Sequence, residues 1–381
     1  TKALENVQHG NEKVLRARLD DAKFFFENDR KKTLEGHRDD LTRINYQEGM
    51  GDMRDKADRL QKLTEAIGKD WGFTAEEAAD ADRAAFLSKS DLATGMVTEF
   101  TELQCEMGKE YALLDGEKPE VAKAIFEQYM PRFAGDILPE QEIGRALSLA
   151  DKLDNLAATF LRGLIPTGSQ DPFALRRQTI GAVNILTDGK IHWDIRRGIE
   201  AALALLPGDE ETKKTVLSQI EDFFRQRIKA IMLDEGIAYD IIDAVLAGPV
   251  DDIYALFLKA RSMAESQLKD EADLRQAVTR LANITKGKTG GKVDPSLFTE
   301  DVEKKLQDAF EAVSAKALPL FASYEYGKAL PALKELTAPI NDYLDNVMVM
   351  VDDEAVKNNR ISQLLATLAL FNTWGDFSKL V

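Results

Sequence analysis

Apolar residues in this chain recur every three or four positions, segment after segment, and almost never every two. Side chains spaced that way line one stripe of an α-helix, whose period is about 3.6, whereas a half-buried strand demands strict alternation. After Gly10, Asn11 is placed to cap a helix with Glu12 in its first turn, and Leu15, Leu19, Ala22 and Phe26 follow as one stripe. Leu60, Leu63, Ala66 and Ile67 repeat the pattern, as do Ile220, Phe223, Phe224, Ile228 and Ile231, and then Ile361, Leu364, Leu365, Leu368 and Phe371. The expected fold class is all-α. The main exception is the Val-Met-Val-Met-Val run at 347–351, which reads either as a helix end or as a short buried extended piece.

Breaks in the helical pattern divide the chain. Residues 165–172 (Ile-Pro-Thr-Gly-Ser-Gln-Asp-Pro) concentrate two prolines and a glycine, so a helix ends before them and another starts after them. Gly248-Pro249 is a second break, and the Gly/Lys-rich stretch 286–292 reads as an exposed, mobile loop. At about 150 residues per domain, 381 residues make two or three domains, and the breaks place them at 1–165, 166–248 and 249–381. No repeat of solenoid period is visible. No apolar run reaches the roughly 18 to 20 residues that cross a bilayer, and the start has no charged-then-apolar secretory pattern. The chain therefore reads as cytoplasmic with no membrane partner, while Thr1 in first position leaves room for a removed upstream segment.

The sites that carry common chemistries are mostly missing. One cysteine, Cys105, forbids an intrachain disulfide and a cysteine zinc cage, and it is expected as a small buried apolar residue. His9, His37 and His192 lie at no metal-ligand spacing, so no metal site and no catalytic residue is assigned. Gly287-Lys288-Thr289 resembles the tail of a phosphate loop, but Ala282 stands where that loop needs its first glycine. Paired acids such as Asp251-Asp252 are expected by frequency alone among 66 carboxylates.

The segment Leu149-Ala150-Asp151-Lys152-Leu153-Asp154-Asn155-Leu156 says more. On a helix Leu149, Leu153 and Leu156 form a buried stripe, with Asp151 and Asp154 on an adjacent face. It resembles the last helix of HD-type metal phosphohydrolase domains, whose final metal ligand is the Asp of a Leu-Ala-Asp-(Lys/Arg)-Leu segment. The His-Asp pair of that superfamily would fall on Ser90-Asp91, with serine in place of histidine, and residues 50–56 contain no first histidine either. Ser90, Asp91 and Asp151 are thus vestigial positions of a degenerate HD-type domain, and the two acids are expected to persist as hydrogen-bond acceptors in its core.

A more specific resemblance rests on several long motifs in order. These are Gly10–Leu19 (Gly-Asn-Glu-Lys-Val-Leu-Arg-Ala-Arg-Leu), Glu102-Leu103-Gln104, Met107-Gly108, Tyr129–Asp136 (Tyr-Met-Pro-Arg-Phe-Ala-Gly-Asp), Gly168–Arg177 (Gly-Ser-Gln-Asp-Pro-Phe-Ala-Leu-Arg-Arg) and Asp345–Met350 (Asp-Asn-Val-Met-Val-Met). Together they resemble the C-terminal half of the beta subunit of bacterial heterotetrameric glycyl-tRNA synthetase. The resemblance implies a degenerate HD-type helical domain, a helical linker and a C-terminal anticodon-binding helical bundle. It implies a tRNA(Gly)-binding chain that works with a separate alpha subunit, which itself uses ATP and Mg to make the adenylate, so no cofactor is expected here. The family usually has glycine after Glu-Leu-Gln. If that glycine has a positive φ, Cys105 costs on the order of 1 kcal/mol.

An RNA partner has to be squared with a net charge of −16 and a pI near 4.9. That balance opposes promiscuous RNA adhesion, but local Lys/Arg stripes still release counterions from phosphates. Candidate stripes are Arg16 and Arg18, Arg176 and Arg177, and Arg225 and Arg227. In the bundle, Arg280 and Asn283 lie three apart within an Arg-x-x-Asn-Ile segment, where Arg forks to or stacks on a base and Asn both donates and accepts. The bland alternative is an ion pair for Arg280 and a bridge within the bundle for Asn283. Asn359 and Arg360 form a second pair. Two other functions stay open: a metal-dependent HD-type nucleotide phosphohydrolase, and a helical scaffold that binds only protein.

Overall fold

The computed structural model describes residues 2–168 and 170–380, so Ser169 of the Gly168–Arg177 motif lies outside it. Two compact units divide between Phe224 and Arg225. The first contains α1 (Lys2–Asp29), α2 (Leu34–His37), α3 (Met53–Trp71), α4 (Ala75–Leu87), α5 (Gly95–Glu99), α6 (Glu106–Leu114), α7 (Pro119–Glu127), α8 (Glu142–Leu161), α9 (Leu175–Asp188), α10 (Ile195–Ala204) and the first part of α11 (Glu210–Asp234). The second contains the rest of α11, α12 (Tyr239–Val245), α13 (Ile253–Glu265), α14 (Ala272–Thr285), α15 (Asp301–Ala322), α16 (Leu330–Lys334), α17 (Thr337–Asn346) and α18 (Glu354–Asn372). Among the described residues there is no strand, only two isolated bridges, so the all-α class holds. No helix among the described residues is long and apolar enough to cross a membrane.

The first unit is organised around α8. Residues 143–160 are buried at all but two positions, which is why this helix is apolar on several faces, and α3, α4, α7, α9 and α10 pack against it. Two of the helices that box it in begin at strong start signals. Asp52 and Asp55 form a reciprocal capping box that opens α3, and Thr74 and Glu77 do the same for α4. Leu60, Leu63 and Ile67 of α3 are buried as the periodicity requires, while Ala66 is exposed.

The structure departs from the expected first helix. α1 runs unbroken through Gly10 and Asn11, so Asn11 caps nothing. Leu15 and Leu19 are 62% and 68% exposed, and burial begins only near Phe25, Phe26 and Asp29. The buried Asp29 carboxylate then accepts from the backbone N–H groups of Gly95 and Met96 and from the Tyr111 hydroxyl, joining α1 to α5 and α6.

In the second unit α14 packs on α17 and α18, and α15 on the same two helices. The run at 347–351 leaves the helix at Val347 in an extended conformation, with Val347 and Val349 buried and Met348 73% exposed. The helix thus ends before the run, which continues through a bend at 349–350 and has no ladder partner among the described residues. The exposed Gly/Lys loop is held at one point, where the Gly291 N–H donates to Ser362 Oγ.

Candidate functional site

At the centre of the first unit, α8 turns charged side chains inward. Asp151, Lys152 and Asp154 are all buried. Lys56 of α3 places its ammonium 3.0 Å from Asp151 Oδ1 and 2.9 Å from Asp154 Oδ2, and donates to Asn155 Oδ1 at 2.8 Å. Arg59, one turn further along α3, donates to Asp154 at 2.6 Å. Lys89, just before the short 3-10 turn Ser90–Ala93, lies 3.0 Å from Asp151 Oδ2 with its ammonium 3.7 Å from the centre of the Tyr129 ring. Lys152 donates to the Met130 carbonyl at 2.8 Å and to Ser148 Oγ at 2.7 Å.

Burial and pairing pull these groups in opposite directions. Burial works against the charge of Asp151, yet Lys56 and Lys89 overcome it and hold the carboxyl far below the ordinary range. For Lys56 burial is outweighed by Asp151 and Asp154, which push the ammonium up. Lys89 shares Asp151 with Lys56, and there burial prevails and lowers it. Burial brings Lys152 down to about 7, with Asp151 only partly compensating.

The vestigial HD-type positions fall into this core. Both carboxylate oxygens of Asp151 face lysine ammonium groups. Asp91 is buried, raised by that burial, and accepts the Cys105 N–H at 2.7 Å, so it serves as the expected core acceptor. Ser90 is fully buried, and its hydroxyl has no hydrogen-bond partner among the described residues. No group of three or more His, Cys, Asp or Glu among the described residues is arranged to hold a metal. Positive ammonium groups occupy the oxygens that a metal ligand would offer, which removes support from the phosphohydrolase alternative.

In the second unit the candidate RNA residues separate into two kinds. Arg280 of α14 donates to Asn341 Oδ1 at 2.9 Å and to Asp345 Oδ1 at 2.5 Å on α17, and its side chain stays 39% exposed. Asn283, one turn on, is exposed and makes no side-chain hydrogen bond among the described residues. Asn359 and Arg360 of α18 are instead buried. Asn359 grips Asp294 by both backbone polar groups, and Arg360 binds Glu303, Thr299 and the Met348 carbonyl. A base edge has no access to side chains spent this way, which corrects the reading of that pair as RNA contacts.

The other arginines differ in the same manner. Arg16 and Arg18 are exposed on α1, Arg18 pairing with Glu99 at 3.0 Å. Arg176 reaches back to the Gly168 carbonyl at 2.7 Å, while Arg177 is exposed at the edge of a cavity over the α8 core. Arg225 donates to the carbonyls of Leu246 and Gly248, which ties it to the packing of α11, while Arg227 donates to the neighbouring Gln226 at 3.1 Å. Sequence reasoning missed Lys56, Lys89, Lys152 and Arg132 around that cavity. The signal that was available is Lys152 inside the apolar Leu149–Leu156 stripe.

Residues 1–247 match the family model for the glycyl-tRNA synthetase beta subunit, and residues 274–375 match that for the DALR anticodon binding domain. The chain belongs to the glycyl-tRNA synthetase beta subunit family. Its relatives include the glycine–tRNA ligase beta subunits of Clostridioides difficile (strain 630), 44% identical over 99% of this chain, and of Desulforamulus reducens (strain ATCC BAA-1160 / DSM 100696 / MI-1), 42% identical over 99%. The subunit from Shouchella clausii (strain KSM-K16) is 40% identical over 99%. The chain covers 55% of each of these three relatives.

Several motifs of the glycyl-tRNA synthetase beta subunit resemblance have a physical role in this fold. A Cβ at Gly108 would come within 2.9 Å of Ile125 and 3.3 Å of the Asp91 carboxyl, so only glycine lets α6 approach. Asp171 of the Gly168–Arg177 motif accepts from the backbone N–H groups of Leu175 and Arg176 and thereby opens α9. Cys105 has φ +69, in the left-handed region that favours glycine. Its thiol is buried and pushed up to about 12 by burial and by Asp91, so it is unreactive and behaves as the expected small apolar residue.

Proposed function

We propose that this chain is the tRNA-binding part of a glycine–tRNA ligase beta subunit and holds tRNA(Gly) for aminoacylation by a separate catalytic alpha subunit. The observation that carries it is the anticodon-binding domain match over 274–375, with α14 inside it offering a free Asn283 and a half-exposed Arg280 on one helical face. The Arg280–Asp345 pair is exposed on both sides, and such pairs contribute only about 0–1 kcal/mol, so an incoming base or phosphate displaces the carboxylate at small cost. Arg16, Arg18 and Arg177 are the exposed arginines of the first unit that serve as phosphate contacts. The chain acts in the cytoplasm as part of the ligase and makes no adenylate of its own, with ATP and Mg used on the alpha subunit.

A gel or filter titration at fixed salt tests this with a tRNA(Gly) transcript and the same transcript with its anticodon replaced. Replacing the anticodon is expected to weaken binding. Asn283→Ala and Arg280→Ala are expected to lose roughly five- to a hundredfold in affinity. Equal affinity of Arg280→Ala, Asn283→Ala and wild type removes these residues from the interface. Absence of salt-dependent tRNA affinity leaves the protein-binding scaffold as the reading.

A further inference from the structure

A cavity of about 710 Å³ opens over the α8 core of the first unit, within the roughly 300–1,000 Å³ typical of small-molecule sites. Five cationic residues line it, Lys56, Lys89, Arg132, Lys152 and Arg177, against two acids, Glu102 and Asp151. In a chain of net charge −16 this is a local reversal of sign. Lys56 is fully used by Asp151, Asp154 and Asn155. Lys89 and Lys152 are less fully used: among the described residues Lys89 meets one carboxylate and the Tyr129 ring, and Lys152 meets one carbonyl and one hydroxyl, although each ammonium has three N–H donors.

Both lysines line this cavity while almost wholly buried, at 2% and 3% exposure. Room for Lys152 is built into α9, because a Cβ on Gly181 would come within 2.8 Å of its Cε. At the mouth two aromatic rings stay open to solvent, Phe133 at 53% and Phe173 at 37%. Partly used ammonium groups and solvent-open rings lining one cavity fit an anion attached to a flat aromatic group.

We propose that this cavity binds a nucleotide, its phosphate held by Lys89, Lys152 and the Arg177 and Arg132 guanidinium groups, and its base stacked on Phe133 and Phe173. The nucleotide is either free or an unstacked residue of a bound RNA. The cavity residues belong to the first unit and α14 to the second, so the proposal is tested independently of anticodon reading. Burial has lowered Lys152 to about 7, and an anion beside it restores its proton, which favours phosphate over an uncharged occupant.

Isothermal titration of the chain with AMP, inorganic phosphate and adenosine tests the proposal, alongside tRNA titrations of Arg177→Ala and Phe173→Ala. The expected result is saturable AMP binding in which phosphate competes and adenosine binds more weakly. Each variant is expected to lose roughly five- to a hundredfold in AMP affinity, the range for one lost stack or charge contact, with an unchanged unfolding midpoint. If AMP is silent but both variants weaken tRNA binding while its dependence on the anticodon persists, the nucleotide comes from the RNA and the site stands. AMP binding unaffected by either variant overturns it, and so does the absence of any AMP, phosphate or tRNA effect.

Discussion

Single residues in this protein act through position more than through type. Cys105 sits at φ +69 with its N–H on Asp91, so a β-branched side chain there pays the left-handed penalty of roughly 1–2 kcal/mol in addition to crowding. Cys105→Val is expected to lose about 2 kcal/mol in urea unfolding, and Cys105→Gly to stay within about 1 kcal/mol of wild type because relieved strain offsets the lost sulfur contact. Equal losses in the two variants would mean the backbone there is unstrained. Lys152 makes a prediction in pH. Folded, it releases its proton near 7, while the unfolded lysine keeps its proton to about 10.4, so between those values the unfolded state binds more protons and stability rises with pH. Asp151, Lys89 and Asp136 are the charges that act on it. Measured at pH 7, 8 and 9, the stability of wild type relative to Lys152→Met is expected to increase by up to about 1.4 kcal/mol per unit, and parallel curves would show that Lys152 titrates as an ordinary lysine.

At the level of elements, the second unit is closed by a polar joint between α15 and α18. Arg360 and Glu303 are both buried, and Thr299 and the Met348 carbonyl each accept a further Arg360 N–H. Breaking such a pair from one side strands a buried charge and costs about 3–5 kcal/mol. Arg360→Met should lose that much by thermal or urea unfolding, and adding Glu303→Gln should recover part of it. A double variant no more stable than the single one would show that Arg360 contributes packing and not charge balance. Arg360 and Asn359 looked like nucleic-acid residues because an Asn-Arg pair has the right donors and acceptors. Burial, which periodicity at the start of α18 does not reveal, assigns them to the joint. α1 shows the reverse case: Leu15 and Leu19 keep a helical stripe yet remain exposed, because amphipathicity says which face is apolar and not whether a neighbour covers it.

Over the whole molecule, a net charge of −16 and the proposed tRNA partner are compatible where local Lys/Arg groups meet the phosphates. With about four such contacts, raising monovalent salt from 50 to 200 mM is expected to weaken tRNA binding on the order of 10- to 100-fold. Unstructured RNA of similar length is expected to bind much more weakly at either salt. Filter binding at the two salt concentrations measures both, and tight salt-independent binding would point to contacts other than phosphates.

The helical class, the stripes of α3, α11 and α18, and the family motifs were all legible from residues close together in the chain, because hydrophobic period and turn chemistry are local. The family pattern also marked Cys105 as a glycine-like position, and the structure supplies the positive φ behind it. The fate of the charges was not legible. Lys56 and Asp154 are 98 residues apart in sequence, and nothing in either segment announces that they meet. Whether a buried lysine is neutralised, shared or left with spare donors depends on which carboxylates, carbonyls and rings other helices bring to it. Only the packing of α3, α8, α9 and the Lys89 turn decides that, and with it the place of a cationic cavity in an acidic protein.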